Sequence, residues 1–159
     1  DHVLLPIVRH WVRCYRALGF ILEPHGQNVL LEIDGTGAAQ RVVHRDLSVG
    51  IDMRRRRDVG LSDGRLNEYN RFEDGAFASI AYDRFVGGHF FSYLASALME
   101  RDPRLSIEDF RRPCRDEFGR LFGDHERYLP RSVHYFSNER DAHGKPLYHD
   151  TGERPAWRS

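Results

Sequence analysis

Acidic, imidazole and amide side chains are concentrated in one short segment near the start of the chain, at Glu23, His25, Gln27 and Asn28. Strongly apolar runs lie on both sides of this segment, which indicates that it connects two buried strands. A buried polar group is costly in free energy unless it finds a partner, and a bound ligand is one source of partners. Gly26 allows the backbone to approach such a ligand closely. The segment is therefore the best candidate for a binding site.

A second acid, Asp46, is expected to lie near this segment. Residues 29–45 predict a β-hairpin, and a hairpin returns Asp46 towards Asn28 at its open end. An amide oxygen and a carboxylate that converge in this way suit Mg²⁺, with Glu23 as a further carboxylate ligand. The order of acid, asparagine and aspartate is also analogous to the phosphate end of a protein-kinase site. The alternative is that Asn28 and Asp46 are ordinary turn and capping residues.

Two motifs in this region resemble the signature of a known enzyme family. Residues 23–31 carry the order Glu-Pro-His-Gly-Gln-Asn-Val-Leu-Leu, and residues 44–47 carry His-Arg-Asp-Leu. Together they resemble the siderophore synthetases that work independently of non-ribosomal peptide synthetases, the aerobactin-synthetase-like enzymes. The resemblance implies that the chain is the carboxy-terminal, palm-type part of such an enzyme. It also implies a reaction in which ATP and Mg²⁺ activate a citrate-like carboxylate as an acyl-adenylate, which an amine or alcohol then attacks.

The same resemblance implies roles for individual residues. The nucleotide-binding set would be the polar residues of the two motifs, Glu23, His25, Gln27, Asn28 and Asp46. Three of these, Glu23, Asn28 and Asp46, would be the metal ligands. His25 and Gln27 would contact the nucleotide or the reacting carboxylate, and Arg45 would either bind an anionic group or pair with Asp46. Members of the family also use an amino-terminal part to bind ATP, so we expect the chain to need that partner and to be inactive alone. Full-length members commonly pair, which implies a homodimer.

The first half of the chain predicts one helix and a small sheet. Apolar residues recur with helical spacing over residues 4–18, and Gly19 is placed to end that helix. Residues 20–22 and 28–33 predict two short buried strands. The sequence Asp-Gly-Thr-Gly that follows is a strong hairpin turn signal, so residues 41–45 are expected to be the returning strand.

The second half predicts a helical layer. Residues 48–70 are polar and glycine-rich and are expected to form a loop with one turn of helix at most. Residues 77–99 predict a long apolar helix, and residues 106–122 predict another. Residues 148–159 are expected to be a polar tail after a single domain over residues 1–147. The resulting fold class is α+β, in which a small antiparallel hairpin carries the active-site turn against the helices, in a palm-like and kinase-like arrangement.

Composition narrows the classes of function. Lys+Arg and Asp+Glu both number 24, and a general nucleic-acid binder usually has a basic excess. The two cysteines form no CxxC pattern, which argues against an iron–sulfur cluster. The sequence shows neither a membrane-spanning stretch nor a signal peptide, so we expect a cytoplasmic protein without nucleic-acid or membrane partners. The arginine run at residues 54–57 is expected to be a solvated face. Lysine chemistry would have to use Lys145, the only lysine.

Two other functions compete with the synthetase. A kinase-like phosphotransferase would use Glu23 as base, with Asn28 and Asp46 for the metal. Those enzymes usually place an aspartate after the His-Gly pair, whereas Gln27 cannot accept a proton at neutral pH. The other alternative is a non-catalytic module that handles iron or a siderophore.

Overall fold

The computed structural model describes residues 1–23, 26–46, 49–62, 64 and 66–159. The helices are α1 (Leu4–Leu18), α2 (Met53–Asp58), α3 (Ala76–Ser79), α4 (Ser92–Arg101) and α5 (Glu108–Leu121), and a π-helix over Ile80–Phe91 joins α3 to α4. The strands are β1 (Phe20–Ile21), β2 (Val29–Ile33), β3 (Ala39–His44), β4 (Gly50–Asp52), β5 (Arg71–Phe72), β6 (His134–Arg140) and β7 (Pro146–Asp150). The chain is thus a mixed α+β protein with small sheets, as the sequence predicts.

Helix α1 has the bounds that its apolar periodicity predicts. Its buried residues are Ile7, Val8, Trp11, Val12 and Tyr15. Gly19 ends the helix in the left-handed conformation, with φ of 67°, and its N–H donates to the Tyr15 carbonyl at 2.8 Å. A Cβ atom at Gly19 would lie 2.8 Å from the Asp52 carbonyl oxygen, so both backbone conformation and space require glycine here.

Aromatic packing joins α1 to the helical layer. The Trp11 ring lies 4.7 Å from the Tyr82 ring, and Tyr82 lies 4.6 Å from Phe118 between centroids. Tyr82 belongs to the π-helix and Phe118 to α5. Both are fully buried, as is Trp11 of α1. The indole N–H of Trp11 donates to the Leu22 carbonyl at 3.1 Å, which satisfies the polar atom of this fully buried ring.

The predicted hairpin forms from β2 and β3, which pair antiparallel with Val29 opposite His44. Its turn is organised by Asp34, whose Oδ1 accepts hydrogen bonds from the Thr36 N–H at 2.8 Å and the Ala38 N–H at 3.0 Å. The hydrogen bonds from Thr36, followed by that from Ala38, lower the pKa of Asp34 to about 2. The turn chemistry that the sequence predicts is therefore confirmed.

The expectation of a loop over residues 48–70 is wrong in part. Strand β4 lies between β1, antiparallel to it, and β5, parallel to it, and α2 follows directly. Asp52 ends β4 and caps α2, because its carboxylate accepts from the N–H groups of Arg54 and Arg55. A three-residue strand has too few residues to show a periodic pattern, so its non-local pairing decides it.

The arginine run on α2 is also more than a solvated face. Arg56 is buried and donates to the Leu18 carbonyl at 2.9 Å and the Ser62 carbonyl at 2.7 Å. Arg54 makes a 2.7 Å ion pair with the fully buried Asp52. The last carbonyl oxygens of a helix have no partner within the helix. Near the end of α1, the Arg56 guanidinium group supplies such a partner.

The last residues of the chain differ from the expected polar tail. Strands β6 and β7 form an antiparallel hairpin, with His134 opposite Asp150. Trp157 is buried, and a Cβ atom at Gly87 would lie 2.4 Å from its Cδ1 atom. The composition of this segment is polar, but its few apolar groups fill space beside the π-helix. Local composition does not predict this packing, because the contacts join residues distant in sequence. In the described part of the chain, no helix combines the length and apolar character needed to cross a membrane.

Candidate functional site

The open end of the β2–β3 hairpin brings the two predicted motifs together. The Arg45 N–H donates to the Asn28 carbonyl at 2.7 Å, one step beyond the Val29–His44 pair. Asp46 follows immediately, so Asn28, Arg45 and Asp46 share this end of the hairpin. This is the backbone adjacency that the predicted metal site requires.

Asp46 has an unusual backbone conformation at this point. Its φ is 63°, the only positive value at a residue other than glycine in the described chain. Left-handed backbone is uncommon for L-residues, although Asp and Asn tolerate it better than most. Asp46 is exposed and Asn28 is half-buried, so water and small ions reach both residues. The direction in which the chain leaves β3 is thus set at the acid itself.

The other predicted site residues are less closely grouped. Gln27 and Arg45 are exposed, and His25 lies outside the described residues. Within the described residues there is no group of three or more His, Cys, Asp or Glu side chains suited to a metal ion. The predicted ligand set has two carboxylates and one amide, so the metal site remains a prediction that rests on Glu23, Asn28 and Asp46.

Glu23 lines a cavity of about 180 Å³ between the β1–β4–β5 sheet and the β6–β7 hairpin. Its walls include the stacked rings of Phe72 and Phe77, whose centroids are 4.2 Å apart, and the Tyr148 ring. Burial, then the nearby Asp74 and Tyr69, and finally Glu23, raise the pKa of Tyr148 to about 12. Glu23 therefore shares its cavity with several aromatic rings.

The single lysine of the chain lies in the same cavity. The Lys145 ammonium is 4.2 Å from the centre of the Phe72 ring and 3.5 Å from the Arg71 carbonyl oxygen. A cation over an aromatic face is stabilised by the ring quadrupole. Sequence reasoning did not connect Lys145 with Glu23, because the two residues are far apart in the chain. Its being the only lysine was the one signal that pointed to it.

A larger cleft, of about 540 Å³, lies beside the start of α3. Its acidic, basic and imidazole side chains have mixed charge: Arg54, Asp74, Glu126, Arg127 and His134. The Arg54 guanidinium is already engaged by Asp52, and Asp74 caps the Ala76 N–H at 2.9 Å. No sequence motif predicted this cleft, and two of its charged groups, Arg54 and Asp74, already take part in contacts within the fold.

Comparisons with models of known families, with curated proteins and with solved structures find no match to this chain.

Proposed function

We propose that this chain is the carboxy-terminal catalytic portion of an ATP-dependent siderophore synthetase. It would adenylate a citrate-like carboxylic acid and join it to an amine or alcohol, with a palm-like, kinase-like arrangement of the hairpin against the helices. The proposal rests on the order of the two motifs. The observation that supports it most directly is the 2.7 Å hydrogen bond from Arg45 to Asn28, since it brings the motifs to one end of a hairpin.

The donor set is compatible with magnesium. Asn28 offers an amide oxygen and Asp46 a carboxylate, with Glu23 as a third oxygen ligand. Mg²⁺ prefers oxygen ligands and usually keeps several waters, which suits the exposed position of Asp46 and the half-buried position of Asn28. When bound, the ion would neutralise charge on the phosphates of ATP.

The protein's own contribution would be positioning and charge neutralisation. A carboxylate oxygen of the acid bonds to the α-phosphorus of ATP, and the bond from that phosphorus to the pyrophosphate oxygen breaks. The amine or alcohol then bonds to the acyl carbon, AMP leaves and the nucleophile loses a proton. His25 and Gln27 would orient the nucleotide and the reacting carboxylate, and Arg45 would bind an anionic group.

An exchange assay tests this proposal. The full-length gene product is assayed for ATP–pyrophosphate exchange with citrate, succinate and 2-oxoglutarate as candidate acids. We expect acid-dependent exchange, and we expect Asn28→Ala and Asp46→Ala to abolish it because each removes a metal ligand. Matched controls are Asn138→Ala and Asp116→Ala, which change the same residue types at exposed positions away from the hairpin.

Two results would contradict the proposal. One is exchange that persists in both Asn28→Ala and Asp46→Ala proteins that are folded. The other is release of ADP instead of AMP and pyrophosphate, which would favour the phosphotransferase. Exchange by the present chain alone would contradict the expectation that an amino-terminal part is needed.

A further inference from the structure

A groove between α1 and the β3 strand collects positive charge. Its volume is about 400 Å³, and its ionisable side chains are Arg9, His10, Arg13 and Arg41. No acidic side chain lines it within the described residues. The chain as a whole has equal numbers of basic and acidic residues, so this groove departs from the average charge of the molecule.

The spacing along α1 places these charges on one face of the helix. Arg9 and Arg13 are four residues apart, and His10 and Arg13 are three apart, which are the separations of neighbouring side chains on a helix. Like charges at such separations destabilise a helix. Arg41 approaches from β3, so the strand adds a cation to a helix face that already carries Arg9 and Arg13.

The acids that pair with these arginines do not line the groove. Arg9 makes an ion pair with the buried Glu117 of α5, and Arg41 pairs with Glu32 at 2.8 Å on the exposed hairpin. Arg13 is exposed and makes no ion pair or hydrogen bond among the described residues. At least one guanidinium group therefore keeps its full set of donors for a ligand.

His10 adds an unsatisfied polar atom to the same groove. Its Nε2 atom is buried and has no hydrogen-bond partner. Burial, and then the charge of Arg13, lower the pKa of His10, so both effects disfavour the charged form of the ring. Buried polar atoms are normally paired, and an oxyanion would give this nitrogen an acceptor once the ring is protonated.

We propose that this groove binds a compact multivalent oxyanion, either a polycarboxylate or a short phosphate chain, between α1 and β3. Guanidinium forks match the geometry of carboxylate and phosphate oxygens, and both ligand types share that chemistry. The volume of about 400 Å³ falls within the usual range of small-molecule sites, roughly 300–1,000 Å³.

This site is separate from the one proposed for synthetase activity. Arg41 lies opposite Glu32, close to the hairpin turn, whereas Asn28 and Arg45 lie at the open end. Arg45 lies four residue steps beyond Arg41, which is about 13 Å at the rise of a β-strand. The anion site therefore does not depend on the proposed function.

Calorimetric titration of the chain with citrate and with inorganic pyrophosphate tests the proposal, with acetate at matched ionic strength as the monovalent comparison. We expect saturable binding of citrate or pyrophosphate and none of acetate. Arg13→Gln should weaken that binding by about threefold or more, in line with the strength of exposed ion pairs. Arg101→Gln removes an exposed arginine from α4, outside the groove, and should leave the affinity unchanged.

The His10 ring provides a second, independent readout. Proton NMR titration of the imidazole, assigned by the signal lost in His10→Gln, should show a higher pKa in the presence of the bound anion. Arg13→Gln alone should also raise the pKa of His10, because it removes a neighbouring positive charge. Glu117 and Glu32 stay unchanged in both proteins, so a shift reports on the groove.

The possible outcomes separate the ligand sources and the two proposals. Tighter binding of citrate identifies a polycarboxylate site, and tighter binding of pyrophosphate identifies a phosphate site. Binding of neither ligand overturns the proposal, as does an affinity unaffected by Arg13→Gln or an unchanged pKa of His10 on saturation. Asn28→Ala should bind the anion normally even where it loses pyrophosphate exchange, so failure of one proposal is distinguishable from failure of the other.

Discussion

Replacing Arg158 by methionine removes one half of the most buried ion pair among the described residues. The Arg158 Nε atom donates to the Asp83 carboxylate at 3.0 Å, and both side chains are 2% exposed. The same guanidinium group donates to the Pro130 carbonyl, and Ser79 donates to the other carboxylate oxygen at 2.7 Å. Arg158 thus connects the end of the chain to the π-helix.

The expected loss of stability arises because the Asp83 carboxylate remains buried without its partner. Removing one partner of a buried pair costs about 3–5 kcal/mol, because the other charge stays buried without compensation. Domains of this size unfold with about 5–15 kcal/mol in total, so Arg158→Met should bring the protein close to unfolding at neutral pH. Methionine keeps much of the buried apolar volume, so the loss reports mainly on Asp83.

The dependence on pH has a definite sign. Burial raises the pKa of Asp83, and the charge of Arg158 opposes that effect. Without Arg158, the folded-state pKa rises further above the unfolded value. A carboxyl group with a raised folded-state pKa favours folding below its unfolded pKa, and this contribution is lost as pH rises through the folded pKa. Arg158→Met should therefore lie nearest to the wild type in acid and fall behind it as pH rises.

Urea denaturation, followed by tryptophan fluorescence, measures the free energy of unfolding at each pH, since Trp11 and Trp157 are both buried. Arg101→Met, at an exposed position, should change the free energy of unfolding by no more than about 0.5 kcal/mol. The double variant Asp83→Asn with Arg158→Met should lose the additional pH dependence that Arg158→Met introduces. A loss of stability in Arg158→Met that is equal at acidic and neutral pH, or no greater than in Arg101→Met, would refute the reasoning.

Three further predictions concern buried groups. Tyr15→Phe removes the hydroxyl that donates to the buried Asp52 carboxylate, so it should cost about 1.5–3 kcal/mol in chemical denaturation. Gly50→Ala places a Cβ atom 2.3 Å from the Phe77 ring, so we expect a clear drop in melting temperature, whereas alanine at an open glycine should be tolerated. Burial raises the pKa of the Cys114 thiol to about 12, so iodoacetamide at neutral pH should modify Cys114 only after denaturant is added; rapid modification of Cys114 in the folded protein, located by peptide mapping to separate it from Cys14, would contradict its burial.

Local sequence determined the first helix and the hairpin. Apolar spacing defines α1 over Leu4–Leu18, and a glycine that tolerates φ of 67° ends it. The side-chain hydrogen bonds of Asp34 define the turn, and the pairing of Val29 with His44 then brings Asn28 to Arg45. Each of these features depends on residues close together in the chain, which is why the motif ends could be predicted to meet.

Tertiary packing decided the rest. Strand β4 is three residues long and exists only because β1 and β5 pair with it on either side. The segment expected to be a polar tail contributes Trp157 and Arg158 to the interior, where Trp157 packs beside the π-helix and Arg158 pairs with the buried carboxylate of Asp83. The cationic groove also joins a helix to a strand that lies some 30 residues later in the chain. The spacing of residues along the chain does not predict such contacts, because nothing local in the sequence specifies which distant surfaces will face each other.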